Sequence, residues 1–117
     1  MKKDTLVFVG HIIESIEDIE LFTKNIAKED FLKNKEKQNA VIRSIEIIGE
    51  AIKNISENIK KKYPKIEWKK ITGTRDKVAH YYFGVDLELI WKVIKEKLPE
   101  LKKEILKMKD DLSKELH

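Results

Sequence analysis

Arg75, His80 and Tyr82 are the residues whose types and spacing best suit chemistry, and all three lie in one segment, Arg75-Asp76-Lys77-Val78-Ala79-His80-Tyr81-Tyr82. Histidine titrates near neutrality and can accept or donate a proton. Arginine stays cationic and can hold two phosphate oxygens through its planar fork. Tyrosine can hydrogen-bond phosphate or ribose, stack on a base, or expose a hydroxyl to modification. Together these groups suit cleavage of an RNA phosphodiester. His80 would deprotonate the ribose 2′-hydroxyl or protonate the leaving oxygen, and Arg75 would stabilise charge developing at phosphorus.

Spacing within one helix works against this partnership. At about 100° per residue, Arg75 and His80 are about 140° apart around a regular helix. A bent helix end, a ligand spanning the distance or a symmetric partner would be needed to unite them. Each residue also has a structural alternative. His80 suits a helix cap or surface position, Arg75 can pair with Asp76 or Glu67, and the tyrosines can rim a core. Glu50 lies on a broadly apolar helix, where it can be a buried partner for Arg43, a partner for a basic residue on another helix, or an acid near His80. His11, flanked by apolar residues, reads as structural or interfacial, and Trp68 and Trp91 read as core. The scattered carboxylates show no dinuclear metal spacing, so neither a metal nor another cofactor is expected.

Charge singles out the same region. Residues 1–59 carry nine basic and eleven acidic groups, and residues 78–117 carry eight of each. Residues 60–77 carry eight basic groups, including Lys69, Lys70, Arg75 and Lys77, against Glu67 and Asp76 alone. The whole positive excess therefore lies before and within the segment. Such a patch can attract a phosphate backbone, with Lys69, Lys70 and Lys77 as RNA-binding candidates; the bland alternative is a solvated lysine-rich face.

Positioning falls to helices. The chain has 117 residues, 41% hydrophobic and 39% charged, with only two prolines and four glycines. That is room for a single domain, 1–117, with one core. Leu6, Val9, Ile12, Ile13, Ile16, Ile19 and Phe22 predict a helix from Asp4 to Lys24, with Asp4 as its cap. Residues 25–35 read as a connection holding a short turn, with Phe31 and Leu32 over the end of the core. Val41, Ile45, Ile48, Ile52, Ile55 and Ile59 predict a long helix from Glu36 to Lys61, ended by Tyr63-Pro64. Gly49 within it is either tolerated or marks close approach by another helix.

A short turn is expected over Glu67–Ile71, a break at Thr72-Gly73-Thr74, and then a short helix reaching Tyr82 and closed by Phe83-Gly84. Asp86 caps a fourth helix through Ile94, and Pro99 marks a boundary before the last, which carries Leu101, Ile105, Leu106, Met108 and Leu112. No comparable strand alternation is present. The expected fold is all-α, an antiparallel up-and-down bundle of four to five helices.

The absence of cysteine excludes a disulfide scaffold, a thiolate nucleophile and a sulfur-based zinc site. Leu6-Val7-Phe8-Val9 is too short for a signal or membrane span, so a cytoplasmic protein is expected.

The arrangement Arg75-x4-His80-x-Tyr82 resembles the signature of the HEPN family, specifically the HepT-like toxins that accompany minimal nucleotidyltransferase antitoxins. His11-Ile12-Ile13, the run Val41–Ala51, Tyr63-Pro64-Lys65-Ile66-Glu67-Trp68 and His80–Asp86 with Trp91 extend the resemblance through Leu98 in the same order. It implies a homodimer in which the Arg75 and His80 positions of both protomers line one cleft, and a metal-independent ribonuclease toxin. It further implies that Tyr82 is the tyrosine to which the partner nucleotidyltransferase adds AMP. Asp76 departs from the family, where a polar amide is common; an aspartate here either orients Arg75 or weakens RNA binding. The competing expectation is a catalytically quiet helical module that binds a nucleotidyltransferase or a nucleotide.

Overall fold

The computed structural model describes residues 2–80 and 86–116, with side chains for residues 4–78 and 86–116. The fold is all-α, with no strand among the described residues. Helix α1 spans Lys2–Phe22 and buries Val9, Ile12, Ile13, Ile16 and Ile19. Asp4 is therefore not its cap. It lies in the first turn, where a carboxylate complements the partial positive charge of the helix start. The helix stops at Phe22 rather than Lys24, and Asn25 (φ 60°) turns the chain in the left-handed conformation that asparagine tolerates.

The connection contains a full short helix, α2 (Lys28–Lys33), whose Phe31 is completely buried with its ring tilted 35° against Trp91 at 5.3 Å. Asn34 then caps α3 (Lys35–Lys53), its side-chain oxygen accepting from the Lys37 N–H at 3.0 Å. Helix α3 ends eight residues before the expected Lys61. The Asn54 side chain donates to the Glu50 carbonyl at 2.9 Å, and extended Ser56 caps a one-turn helix, α4 (Glu57–Lys60). The bend keeps Ile55 buried and Ile59 against the core, so the apolar stripe persists although the helix does not.

The expected break at Thr72-Gly73-Thr74 is absent. Helix α5 runs unbroken over Trp68–His80. Neither threonine acts as a cap: Thr72 Oγ1 donates to the Trp68 carbonyl at 3.2 Å and Thr74 Oγ1 to the Lys70 carbonyl at 3.0 Å, one turn back. The expected extension to Tyr82 and its Phe83-Gly84 stop lie outside the described residues. Asp86 caps α6 (Leu87–Lys92) by accepting from the Leu89 N–H at 3.1 Å. Pro99 does not separate two helices. Helix α6 passes through one π turn, Val93–Lys97, into α7 (Leu98–Leu116). Proline lacks the N–H that would bond the carbonyl one turn back, and its ring crowds that carbonyl; the widened turn accommodates both.

Helix α1 packs against α3 and α7, and α3 also packs against α5. The core between them includes Ile12, Ile16, Ile48, Ile52, Ile105 and Met108, all nearly inaccessible, while Leu106 faces outward, 43% exposed. No described helix is long and apolar enough to cross a membrane. For the site, the decisive contact is α3 against α5.

Candidate active site

Helices α3 and α5 cross where Gly49 meets Arg75. A Cβ on residue 49 would fall 2.5 Å from Arg75 Cβ, a distance real side chains essentially never show, and 3.1 Å from its Cδ, itself tight. Gly49 is therefore the close-approach glycine, and the stem of Arg75 lies directly on the α3 backbone. The arginine side chain is only 18% exposed. Its Nη2 is paired with Glu50 Oε1, and its Nη1 donates to Asp76 Oδ1 at 3.1 Å. The same Asp76 oxygen accepts from Lys53 Nζ at 3.3 Å. Arg75 Nε is buried and has no partner among the described residues.

This chain of charges shows which partners Glu50 and Asp76 have. Glu50 is exposed rather than buried, and it serves Arg75 on another helix rather than Arg43. Arg43 is 70% exposed and pairs with Glu46 at 3.5 Å, away from the Arg75 network. Asp76 accepts a hydrogen bond from Arg75, and Lys53 offsets part of the negative charge that Asp76 adds beside it. The hydrogen bond that Arg75 donates to Asp76 raises its already high pKa, so the guanidinium stays charged. Hydrogen bonds from Arg75 first and Lys53 second hold the Asp76 carboxyl below its ordinary range.

A depressed carboxylate pKa contributes stability above the unfolded value, about 3.9, and loses it as pH falls through the folded value. Asp76→Asn is accordingly expected to melt below wild type at neutral pH, the two melting temperatures converging as pH drops below about 4. A constant difference down to the lowest pH would show that the bridge does not carry the effect.

His80 occupies the last position of α5, five residues beyond Arg75 in an unbroken helix. The two positions therefore remain about 140° apart around the helix. The His80 side chain lies outside the described residues, as does the whole of Tyr82. Lys69, Lys70 and Lys77 are exposed on α5; Lys70 is tied to Glu67 at 2.6 Å, a contact that lowers the Glu67 pKa and raises that of Lys70. Lys69 and Lys77 lie on different flanks. Lys77 borders an apolar groove of about 350 Å³ floored by Ile45, Ile48 and Val93, whereas Lys69 borders a lysine-rich groove on the other side of the helix. His11 is exposed at an edge-on contact with Phe8, Trp91 packs on Phe31, and Trp68 is half-buried against the core.

Sequence reasoning missed Lys53. A signal was present: Gly49, Glu50 and Lys53 recur at helical spacing on α3, so whatever Gly49 admits also meets the other two.

The chain matches the pattern of the family described as "Ribonuclease HepT-like" over residues 12–108. It is 47% identical over 109 residues to the "Probable ribonuclease HepT" of Thermococcus cleftensis, covering 93% of this chain and 99% of that one. A Methanocaldococcus jannaschii protein named "Putative RNase" is 44% identical over 114 residues, covering 97% and 94%. A second protein of that organism, "Gamma-glutamylcyclotransferase and putative RNase", is 50% identical over 114 residues; the match covers 97% of this chain but only 51% of that relative. No solved structure matches the chain significantly.

Proposed function

The chain belongs to the HepT-like ribonuclease family of HEPN proteins, and from that premise we propose that it is an RNA-cleaving toxin, active as a homodimer and silenced by AMP on Tyr82. The observation that carries this reading is Arg75 itself, seated on Gly49 and held by Glu50 and Asp76 on the helix that also carries His80. A fixed guanidinium needs no reorganisation when charge develops at phosphorus, and each of its η nitrogens retains a second N–H for a phosphate oxygen. The separation of Arg75 from His80 around one helix favours a cleft to which two chains contribute.

In that cleft His80 of one protomer takes the proton from the ribose 2′-hydroxyl as its oxygen attacks phosphorus. The departing 5′-oxygen receives a proton from the equivalent histidine of the second protomer, leaving a 2′,3′-cyclic phosphate and a 5′-hydroxyl. Lys69, Lys70 and Lys77 draw in the RNA backbone. A partner nucleotidyltransferase adding AMP to Tyr82, two residues beyond His80, places bulk and negative phosphate charge at the entrance. Occlusion and repulsion then both oppose RNA.

The test uses protein whose intact mass shows no AMP, mixed with a defined RNA in the presence of a chelator. Wild type is expected to cleave, and Arg75→Ala and His80→Ala to fail. Equal cleavage by all three would overturn the assignment. Exposure to the neighbouring nucleotidyltransferase and ATP should then add an AMP-sized mass, absent in Tyr82→Phe, and abolish cleavage. One observation favours the quieter module: Arg75 already has two carboxylate partners within this chain. RNA or nucleotidyltransferase binding without cleavage by the AMP-free protein would support that reading instead.

A further inference from the structure

We infer that the lysine-rich groove between the α3 end, α4 and the outer face of α5 is the track on which the RNA phosphodiester backbone lies as it approaches the Arg75 site. This rests on the ribonuclease reading above and adds Lys53 and Lys61 to the residues that face RNA.

The groove has a volume of about 650 Å³, and its walls include Lys53, Lys60, Lys61, Trp68, Lys69 and Asp76. Its charges are not evenly committed. Lys70 is held tightly by Glu67 at 2.6 Å, and Lys53 is engaged with Asp76. Lys60 is largely buried and contacts Glu57 at 3.4 Å. Lys61 and Lys69 have no carboxylate partner among the described residues. Lys61 and Lys69 are thus the uncommitted ammonium groups, whereas Lys53 is neutralised beside Arg75. A polyanion gains most where counterions, rather than protein carboxylates, would otherwise balance the lysines.

The walls are also fixed relative to one another. The Trp68 indole N–H donates to the carbonyls of both Lys60 and Tyr63, each at 3.2 Å, which ties the end of α4 to the start of α5. Lys60, Lys61 and Lys69 are therefore carried on backbone that is clamped together, and the indole gives the groove an apolar wall against which a ribose or base can rest.

Register sets the direction. Trp68 and Thr72 line the groove, Asp76 closes it, and residues 68, 72, 76 and 80 recur every fourth position along α5. That ridge leads from the free lysines past the Arg75–Asp76 pair to the helix position of His80, a span of about 18 Å. It is longer than one phosphate requires and suits a stretch of single strand. The groove on the opposite flank has its own lysines, Lys70, Lys77 and Lys97, but these stand beside Ile45, Ile48 and Val93 and among Glu67, Glu100 and Glu104.

The test is the salt dependence of binding to a single-stranded oligonucleotide carrying 2′-O-methyl groups, which lacks the attacking hydroxyl and is not cleaved. Fluorescence anisotropy of the full chain would compare wild type, Lys61→Ala/Lys69→Ala, and Lys33→Ala/Lys109→Ala, the last losing the same charge from exposed positions elsewhere. The first double variant should bind more weakly and reduce the slope of log affinity against log salt by about 1.4, or 0.7 per lysine. The second should keep the wild-type slope.

Equal slopes for both double variants, with wild type binding, would overturn the track and leave the ribonuclease reading standing. Wild type that neither binds this strand nor cleaves unmodified RNA would overturn both. Loss of binding to the nucleotidyltransferase by Lys61→Ala/Lys69→Ala, with RNA binding intact, would assign the groove to the protein partner instead.

Discussion

RNA cleavage slower than wild type by a factor of about 10²–10⁴ is the expected result for His80→Ala, the range for removing a positioned acid or base. Alanine there takes away the only group in the segment that titrates near neutral pH. The melting temperature of the variant, read beside its rate, separates a chemical loss from a loss of fold. Arg75→Ala should lower the rate by about 10²–10³, the loss typical of one donor set aimed at developing charge. It should also lower stability, because Glu50 and Asp76 are left facing each other without the cation between them.

Arg75→Lys separates charge from geometry. A single ammonium cannot reproduce the fork that reaches Glu50 and Asp76 at once, so a rate near that of Arg75→Ala is expected. Single-turnover cleavage of a defined RNA, with a thermal melt of each variant, reads all three. A His80→Ala protein that cleaves at the wild-type rate would remove histidine from the chemistry altogether.

Gly49→Ala is the second large effect, and it should damage activity more than stability. Two terms oppose each other in the fold. Alanine gains about 1 kcal/mol in a helix over glycine. The new methyl group would sit 2.5 Å from Arg75 Cβ, and forcing extra volume into a packed contact costs about 1–3 kcal/mol. The net loss is about 1 kcal/mol, visible as a modest shift in the urea midpoint. The atoms it meets are the base of the Arg75 stem rather than its tip, so the arginine cannot swing aside. Helix α5 must move away from α3, carrying the guanidinium off Glu50. A displacement of about 1 Å at a reacting group costs about 10²-fold in rate. Wild-type cleavage by a folded Gly49→Ala protein would show that the α3–α5 approach does not position Arg75.

The fold was largely legible in the chain because burial follows periodicity. The isoleucine stripes of α1 and α3 are the ones the core uses, and the Asp86 cap and the buried Phe31 stand where local chemistry placed them. Boundaries were less legible. Thr72-Gly73-Thr74 looks like a break, yet packing of Ile71 and Val78 against the core holds the helix continuous and turns both threonine hydroxyls back onto it. Pro99 looks like a stop, but one π turn costs less than giving up the burial of Ile94, Leu98 and Leu101 on a single continuous helix.

Residue type alone makes the segment from Arg75 to Tyr82 the candidate site, since the chemistry of arginine, histidine and tyrosine does not depend on their surroundings to be recognised. The family was evident too, because its pattern is a matter of order and spacing along the chain. What surrounds Arg75 was not. Gly49, Glu50 and Lys53 are 26, 25 and 22 residues away in sequence, and only the crossing of α3 over α5 makes them its seat, its anchor and the counterweight to Asp76. Such contacts depend on how closely two helices approach and at which turn they cross, quantities set by the whole packed core rather than by any one stretch of it.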